Sequence, residues 1–237
     1  MRDDDLNSRQ RVWFLDEARG LSILLMVLHH GAYDAAFLLG WPLDFLSAGW
    51  FGIIRTFFVG VFVLISGCAC RFSRSNLRRG ARCLLPAAGL SAITAFLIPA
   101  QRIRFGILHL LGTAMLLTPL LDRLPSRALA LCALCLLAAG YWCNQIPVRA
   151  PYLFPLGLAA PSFASVDWFP LLPNLGWYGL GMCLGRALNP TPRTRLPVCW
   201  QTAAPVRFFC LCGRHSLAIY LLHQPLLYGL LLLLQKL

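Results

Sequence analysis

His29, His30 and Asp34 stand together inside FLDEARGLSILLMVLHHGAYDAAF, residues 14–37, a stretch otherwise rich in Leu, Ile, Val, Ala and Phe. A spacing of four puts His30 and Asp34 on one face of a helix, and it pairs His29 with Tyr33 roughly 100° around. A carboxylate so placed can accept from one imidazole nitrogen and leave the other as a base, the base-and-orienter half of a catalytic relay. The competing use of the same groups is an interhelical hydrogen bond that only holds a bundle together. Two histidines and an aspartate in so short a stretch favour chemistry.

Further titratable side chains follow the same pattern. Arg55 enters the second apolar run, His109 opens the fourth in RFGILHLLG, Asp167 and Trp168 open the sixth, and His223 lies midway through the last in SLAIYLLHQPLLYG, before Gln224 and Pro225. An ionisable group in a membrane survives by facing the bundle interior or a wet cavity. Arg55 can instead snorkel outward, or neutralise Asp34. His30, Asp34, Arg55, His109, Asp167 and His223 come from five runs, and the topology set out below projects them to the middle or outer half of the bilayer. That convergence predicts one buried polar cavity, with His30, Asp34, His109 and His223 as catalytic candidates. His29, Arg55, Asp167 and Trp168 are the candidates for binding a substrate.

The elements that must position these groups are legible from composition. The 237 residues are 58% hydrophobic and 13% charged, with mean hydropathy +0.66. Soluble domains run near ~45–50% apolar and ~25% charged. Apolar runs at roughly 20–40, 50–70, 83–99, 105–121, 128–143, 168–188 and 208–234 are each of a length to cross about 30 Å of hydrocarbon, or close to it. The fold class expected is therefore all-α, a polytopic transmembrane bundle of about seven spans forming a single integral-membrane domain over residues 1–237. The first run begins only at Gly20, is too long for a signal h-region and lacks a small-residue cleavage site, which argues against a cleavable signal peptide. Prolines 170 and 173 punctuate the start of the sixth run, and its glycines suit close helix packing.

The formal charge of +12 follows from basic residues in short linkers, not from a nucleic-acid-facing stripe. Arg2, Arg9, Arg11 and Arg19 precede the first run; Arg71, Arg74, Arg78, Arg79 and Arg82 separate the second and third; Arg123 and Arg127 separate the fourth and fifth; Arg186, Arg193, Arg195, Arg207 and Arg214 surround the last linker. All fall on one side if the runs alternate. The other side holds Arg102, Arg104, Arg149 and Lys236, with Arg55 just inside its boundary. The positive-inside rule then makes residues 1–19 a cytoplasmic segment, the C-terminus external and the protein a multi-pass plasma (inner) membrane protein. The segment 144–167 becomes an external loop; its four prolines forbid a regular spanning helix, and it serves either as plain surface or as a lid over a site. Cysteines lie mostly inside apolar runs, and the one CxxC, Cys132 and Cys135, has no second pair. They read as small apolar side chains, with no metal expected. The arginines in RFSRSNLRRGARC, residues 71–83, form a cationic patch that either anchors to anionic lipid or grips a polyanionic cytosolic ligand.

RVWFLDEARGLSILLMVLHH, GVFVLISGCACRFSRSNLRRGAR, RFGILHLLGTAMLL, VDWFPLLPNLGWYGLGMCLGRAL and GRHSLAIYLLHQP occur in this order along the chain. The ordered set resembles the heparan-alpha-glucosaminide N-acetyltransferase catalytic-domain family, within the wider transmembrane acyltransferase group, from about residue 11 to 230. The resemblance implies an enzyme that takes an acetyl or acyl group from cytosolic acetyl-CoA and delivers it across the membrane to an amino or hydroxyl group of a glycan-type acceptor. It implies that Arg71, Arg74, Arg78, Arg79 and Arg82, with Arg19, hold the nucleotide phosphates. In eukaryotic members the acceptor is a terminal glucosamine, and a histidine in the external loop after the first span has been proposed to act. The corresponding segment here, GWPLDFLSAGW from Gly40 to Trp50, contains no histidine, so His30 takes the candidate role by position and chemistry. A proton-coupled transporter is the alternative, since intramembrane His and Asp chains also serve as proton relays. The absence of an inverted repeat argues against it.

Overall fold

The computed structural model describes residues 13–143, 145–146, 152–188 and 203–235. Part of the 1–19 segment and of the 144–167 loop, and the charges at Arg2, Arg9, Arg11, Arg149, Arg193, Arg195 and Lys236, lie outside the described residues. Those described form eight α-helices and no strand. In chain order they are α1 (Trp13–Leu39), α2 (Gly49–Ala69), α3 (Asn76–Leu97), α4 (Ile107–Leu121), α5 (Ser126–Cys143), α6 (Leu171–Leu188), α7 (Ala204–Arg214) and α8 (Ser216–Leu234). Five of them are long and apolar enough to cross a membrane: α1, α2 with its 3-10 extension to Phe72, α3, α5 and α8. α4 is apolar but shorter. Large apolar side chains on these helices face outward, Phe96 at 88% exposure and Leu85 at 75%, as an α-helix with lipid for solvent requires.

The run expected at 208–234 is two helices. The chain leaves helical geometry at His215 (φ −101°, ψ 16°), and α7 carries exposed Arg207 and Arg214 beside its buried Val206, Cys210 and Cys212. A helix with that charged face cannot be surrounded by hydrocarbon, so α8 alone supplies the last span.

Packing groups the chain into two compact units, Met1–Phe62 with Thr191–Leu237, and Val63–Pro190; the boundary falls inside α2. In the first unit α1 packs on α7 and α8. The α1–α7 crossing is backbone against backbone: a Cβ at Gly20 would overlap the carbonyl of Phe209, and one at Gly213 the carbonyl of Asp16. Such small-residue contacts take the place of a hydrophobic driving force in lipid. Asp16 is buried there and pairs with Arg19 Nη1 at 3.5 Å and Arg214 Nε at 3.7 Å.

The second unit comprises the end of α2 and α3 to α6. Its largest fully buried side chains are Val63, Cys68, Leu110, Leu129, Tyr178 and Met182. The glycines of α6 do what their frequency suggests. A Cβ at Gly181 would strike the carbonyl of Leu64, and Gly67 on α2 is equally close to the carbonyl of Tyr178. Two helix ends in this unit are closed by side chains, which meet part of what the unpaired terminal amides and carbonyls demand. Ser75 caps α3, accepting from the Arg78 amide at 3.3 Å. Past the end of α4, Arg186 donates to the carbonyls of Leu124 (2.8 Å) and Asp122 (3.0 Å) and pairs with the Asp122 carboxylate at 3.0 Å.

Candidate functional site

The residues predicted for chemistry fall into groups on the two units. In the first unit α1 sets His30 and Asp34 one turn apart, and α8 presents His223 and Gln224 to them. The carboxamide of Gln224 donates from Nε2 to Asp34 Oδ2 at 2.8 Å, and His30 Nδ1 lies 3.0 Å from Gln224 Oε1. His30 Nδ1 is also 3.4 Å from His223 Nε2. Among the described residues Asp34 makes no direct hydrogen bond to His30: the amide of Gln224 stands between them, where the four-residue spacing suggested a direct pair. Asp34 and His223 are buried, each at 8% exposure.

These contacts assign protons. Tyr220 O only accepts, so the 2.6 Å contact makes His223 Nδ1 the donor to it and leaves His223 Nε2 a lone pair. Gln224 turns its NH2 to the carboxylate and its oxygen to His30, so His30 Nδ1–H donates to Gln224 Oε1, with His223 Nε2 as a longer second acceptor. His30 Nε2 then carries the lone pair, and it makes no hydrogen bond among the described residues. His29 is set edge-on to His30 and 5.6 Å from the Phe51 ring. Its buried Nδ1 has no partner among the described residues. Arg55 is exposed and forms no ion pair with Asp34 among the described residues, which removes the neutralising role considered for it.

In the second unit His109, Asp167 and Trp168 meet around the start of α4. His109 Nδ1 accepts from the Gly106 amide at 3.2 Å, which puts its proton on Nε2, 3.4 Å from the Ser91 hydroxyl. Both ring nitrogens are thus engaged within the fold, and the ring stacks on Phe105 at 5.6 Å. Asp167 Oδ2 accepts from the Ile107 amide at 3.2 Å, a carboxylate at the positive end of a helix. Gly106 leaves room for it, because a Cβ there would overlap that same oxygen. Ser165 accepts from the Arg104 amide at 3.3 Å, and Trp168 Nε1 donates to Phe154 O at 3.0 Å. Phe163 stacks on Phe154 and meets Trp168 at a tilt of 54°, with the Arg104 guanidinium 5.1 Å over the Phe163 ring. The described part of the loop is therefore folded against the start of α4.

The arginine patch lies on the second unit. Arg71, Arg74, Arg78 and Arg82 are exposed, while half-buried Arg79 donates to Ala69 O at 3.4 Å. Arg71 borders a recess of about 160 Å³ together with Ser73, Asn76 and Arg186. Donors of this kind fit phosphate oxygens. Arg19, expected beside them, sits on the first unit paired to Asp16.

Sequence reasoning named Gln224 without giving it a role. A carboxamide beside a histidine and a proline in an otherwise apolar helix was the available signal. Ser91 and Ser165 carried no signal at all.

Apolar helices long enough to span a membrane, with imidazole, carboxylate and amide groups bonded to one another between α1 and α8, define a polytopic membrane protein. The family model for heparan-alpha-glucosaminide N-acetyltransferase, catalytic, matches residues 11–225, and the chain belongs to that family. It is a membrane protein of acetyltransferase type. No curated protein and no solved structure matches the chain.

Proposed function

We propose that the protein transfers an acetyl group from cytosolic acetyl-CoA to an amine or hydroxyl of an extracytoplasmic, glycan-type acceptor, with His30 as the general base. The observation that carries this reading is the state of His30. Its Nδ1–H is held by Gln224, and its Nε2 lone pair has no hydrogen bond among the described residues. An imidazole so arranged takes the proton of an attacking nucleophile. The nucleophile adds to the thioester carbonyl, the tetrahedral intermediate collapses, the C–S bond breaks, and His30 returns the proton to the departing thiolate. A thioester is already activated, so base catalysis and positioning suffice.

The plasma-membrane orientation with a cytoplasmic N-terminus is part of this proposal, since it places the patch of Arg71, Arg74, Arg78, Arg79 and Arg82 on the side where acetyl-CoA is made. His29, with its unpartnered Nδ1, is the nearest candidate to touch the acceptor. Purified protein in lipid nanodiscs, given acetyl-CoA and an amino-sugar-terminated oligosaccharide, should release free CoA thiol. His30→Ala should lower that rate about 10²- to 10⁴-fold while the thermal transition holds. Unchanged turnover in His30→Ala removes His30 from the chemistry.

The His30–His223 contact at 3.4 Å is also what a proton-coupled transporter would use. Proton-driven flux of a solute into proteoliposomes, independent of acetyl-CoA, would decide for that reading.

A further inference from the structure

A histidine base works only if its lone pair faces the reactant. A neutral histidine side chain free in water favours the proton on Nε2, the opposite of what the contacts around His30 assign. Something must hold the less favoured tautomer. Asp34 cannot do so alone, because Gln224 occupies the space between them.

A carboxamide can present either its oxygen or its NH2 to a neighbour. Here the choice is made by Asp34, whose carboxylate oxygen accepts from Gln224 Nε2 at 2.8 Å. With the NH2 committed to Asp34, only Oε1 is left to face His30 Nδ1, 3.0 Å away. An amide oxygen cannot donate, so the Nδ1 position must carry the proton. His223 presses the same way: its own proton is committed to Tyr220 O at 2.6 Å, so the atom it shows His30 is a lone pair. When His30 becomes a cation its Nδ1–H bond to the amide shortens, and the polarised amide passes part of that charge to Asp34.

We propose that Gln224 is a positioning residue, which converts the charge of Asp34 into a fixed proton on His30 Nδ1 and so presents Nε2 as the base. This rests on the reading of His30 as the base in acetyl transfer.

The test reads the tautomer directly. The chain has five histidines, few enough to assign in a 15N-histidine-labelled full-length protein in nanodiscs, with His30→Ala and His223→Ala samples identifying their signals. Wild type should show His30 protonated at Nδ1 and bare at Nε2. Gln224→Ala leaves only the longer 3.4 Å acceptor of His223, so it should shift the His30 proton measurably toward Nε2 and lower kcat about 10²- to 10³-fold, with the KM for the acceptor unchanged. Gln224→Glu places a second carboxyl beside Asp34, where the two share one proton; with that O–H donating to Asp34 the other oxygen still accepts from Nδ1, so the variant should keep the wild-type tautomer and recover much of the rate. Should Gln224→Ala fail to fold, Gln224→Met, close in length and unable to donate or to accept well, gives the same readout. An unaltered His30 tautomer in the Ala or Met variant overturns the proposal, as does a Glu variant that loses the tautomer as Ala does. The tautomer is read without turnover, so an active His30→Ala would sink the functional reading alone, while an unaltered tautomer beside an inactive His30→Ala would sink only this inference.

Discussion

Gln224 Nε2 donates to Asp34 Oδ2 at 2.8 Å across 190 positions of sequence. This one bond ties α8 to α1 at the level where His30 and His223 face each other. Among the described residues it is also the one hydrogen bond to a carboxylate that is 8% exposed, and burying such a group without a hydrogen bond is costly. The acidic side chain that sequence spacing assigned to one helix therefore serves the joint between two.

His109 should prove dispensable for chemistry. Both of its nitrogens are used, one by the Gly106 amide and one by Ser91. We expect His109→Ala to lower the thermal transition while the kcat of the remaining folded protein stays within about threefold of wild type, against the about 10²-fold or larger loss of a missing base. A kcat loss as large as that of His30→Ala, at unchanged stability, would return His109 to the catalytic set.

Asp167 separates a cap from a binding residue. Asp167→Asn keeps an oxygen for the Ile107 amide, whereas Asp167→Ala strips the start of α4. The Ala variant should lose about 0.5–2 kcal/mol, the usual worth of such a cap, and the Asn variant much less. Calorimetry on the detergent-solubilised protein checks this order. A raised acceptor KM in Asn at full stability would instead mean that Asp167 touches substrate.

The exposed arginines should act on affinity. Replacing Arg71, Arg74, Arg78 and Arg82 by Gln should raise the KM for acetyl-CoA several-fold with kcat little changed. Added salt should weaken the wild-type KM more than that of the variant, because exposed charges are screened. Binding of dephospho-CoA, which carries one phosphate fewer, measures the same contribution from the ligand side.

Gly181 and Gly67 make the closest helix approaches in the second unit. Gly181→Ala should cost about 1–3 kcal/mol by overpacking, since its neighbour is a backbone carbonyl that cannot rotate away. Gly89, with nothing within 4 Å of a Cβ, is the control: Gly89→Ala on α3 should be neutral or slightly stabilising, as Ala is the better helix former. Thermal shift of the two variants side by side is sufficient.

What spacing encodes is local, and the readings from spacing held where the question was local. The helical nature of 14–37, the shared face of His30 and Asp34 and the close-packing glycines of α6 all follow from periodicity or residue size. Gln224 was out of reach, because its partner lies on a helix 190 positions away and no local pattern reports which far helix an amide will meet. The bond of Asp167 to α4 was out of reach for a related reason. Asp167 stands before α6 in sequence, but the end it caps belongs to α4, 60 positions earlier. The last span was drawn too long because the apolar residues of α7 continue into α8 with only His215 to mark the break.

The glycine crossing of α1 and α7 fixes more than two helices. Gly20 lies ten positions before His30, and Gly213 ten positions before His223 (30 − 20 and 223 − 213). On α1 that is about 15 Å of rise. The crossing is thus a shared datum from which the two imidazoles are measured off along separate arms. Inserting or deleting one residue between Gly20 and His30, which lie on the one helix α1, would swing that imidazole about 100°, so this interval should tolerate substitution far better than any change in length.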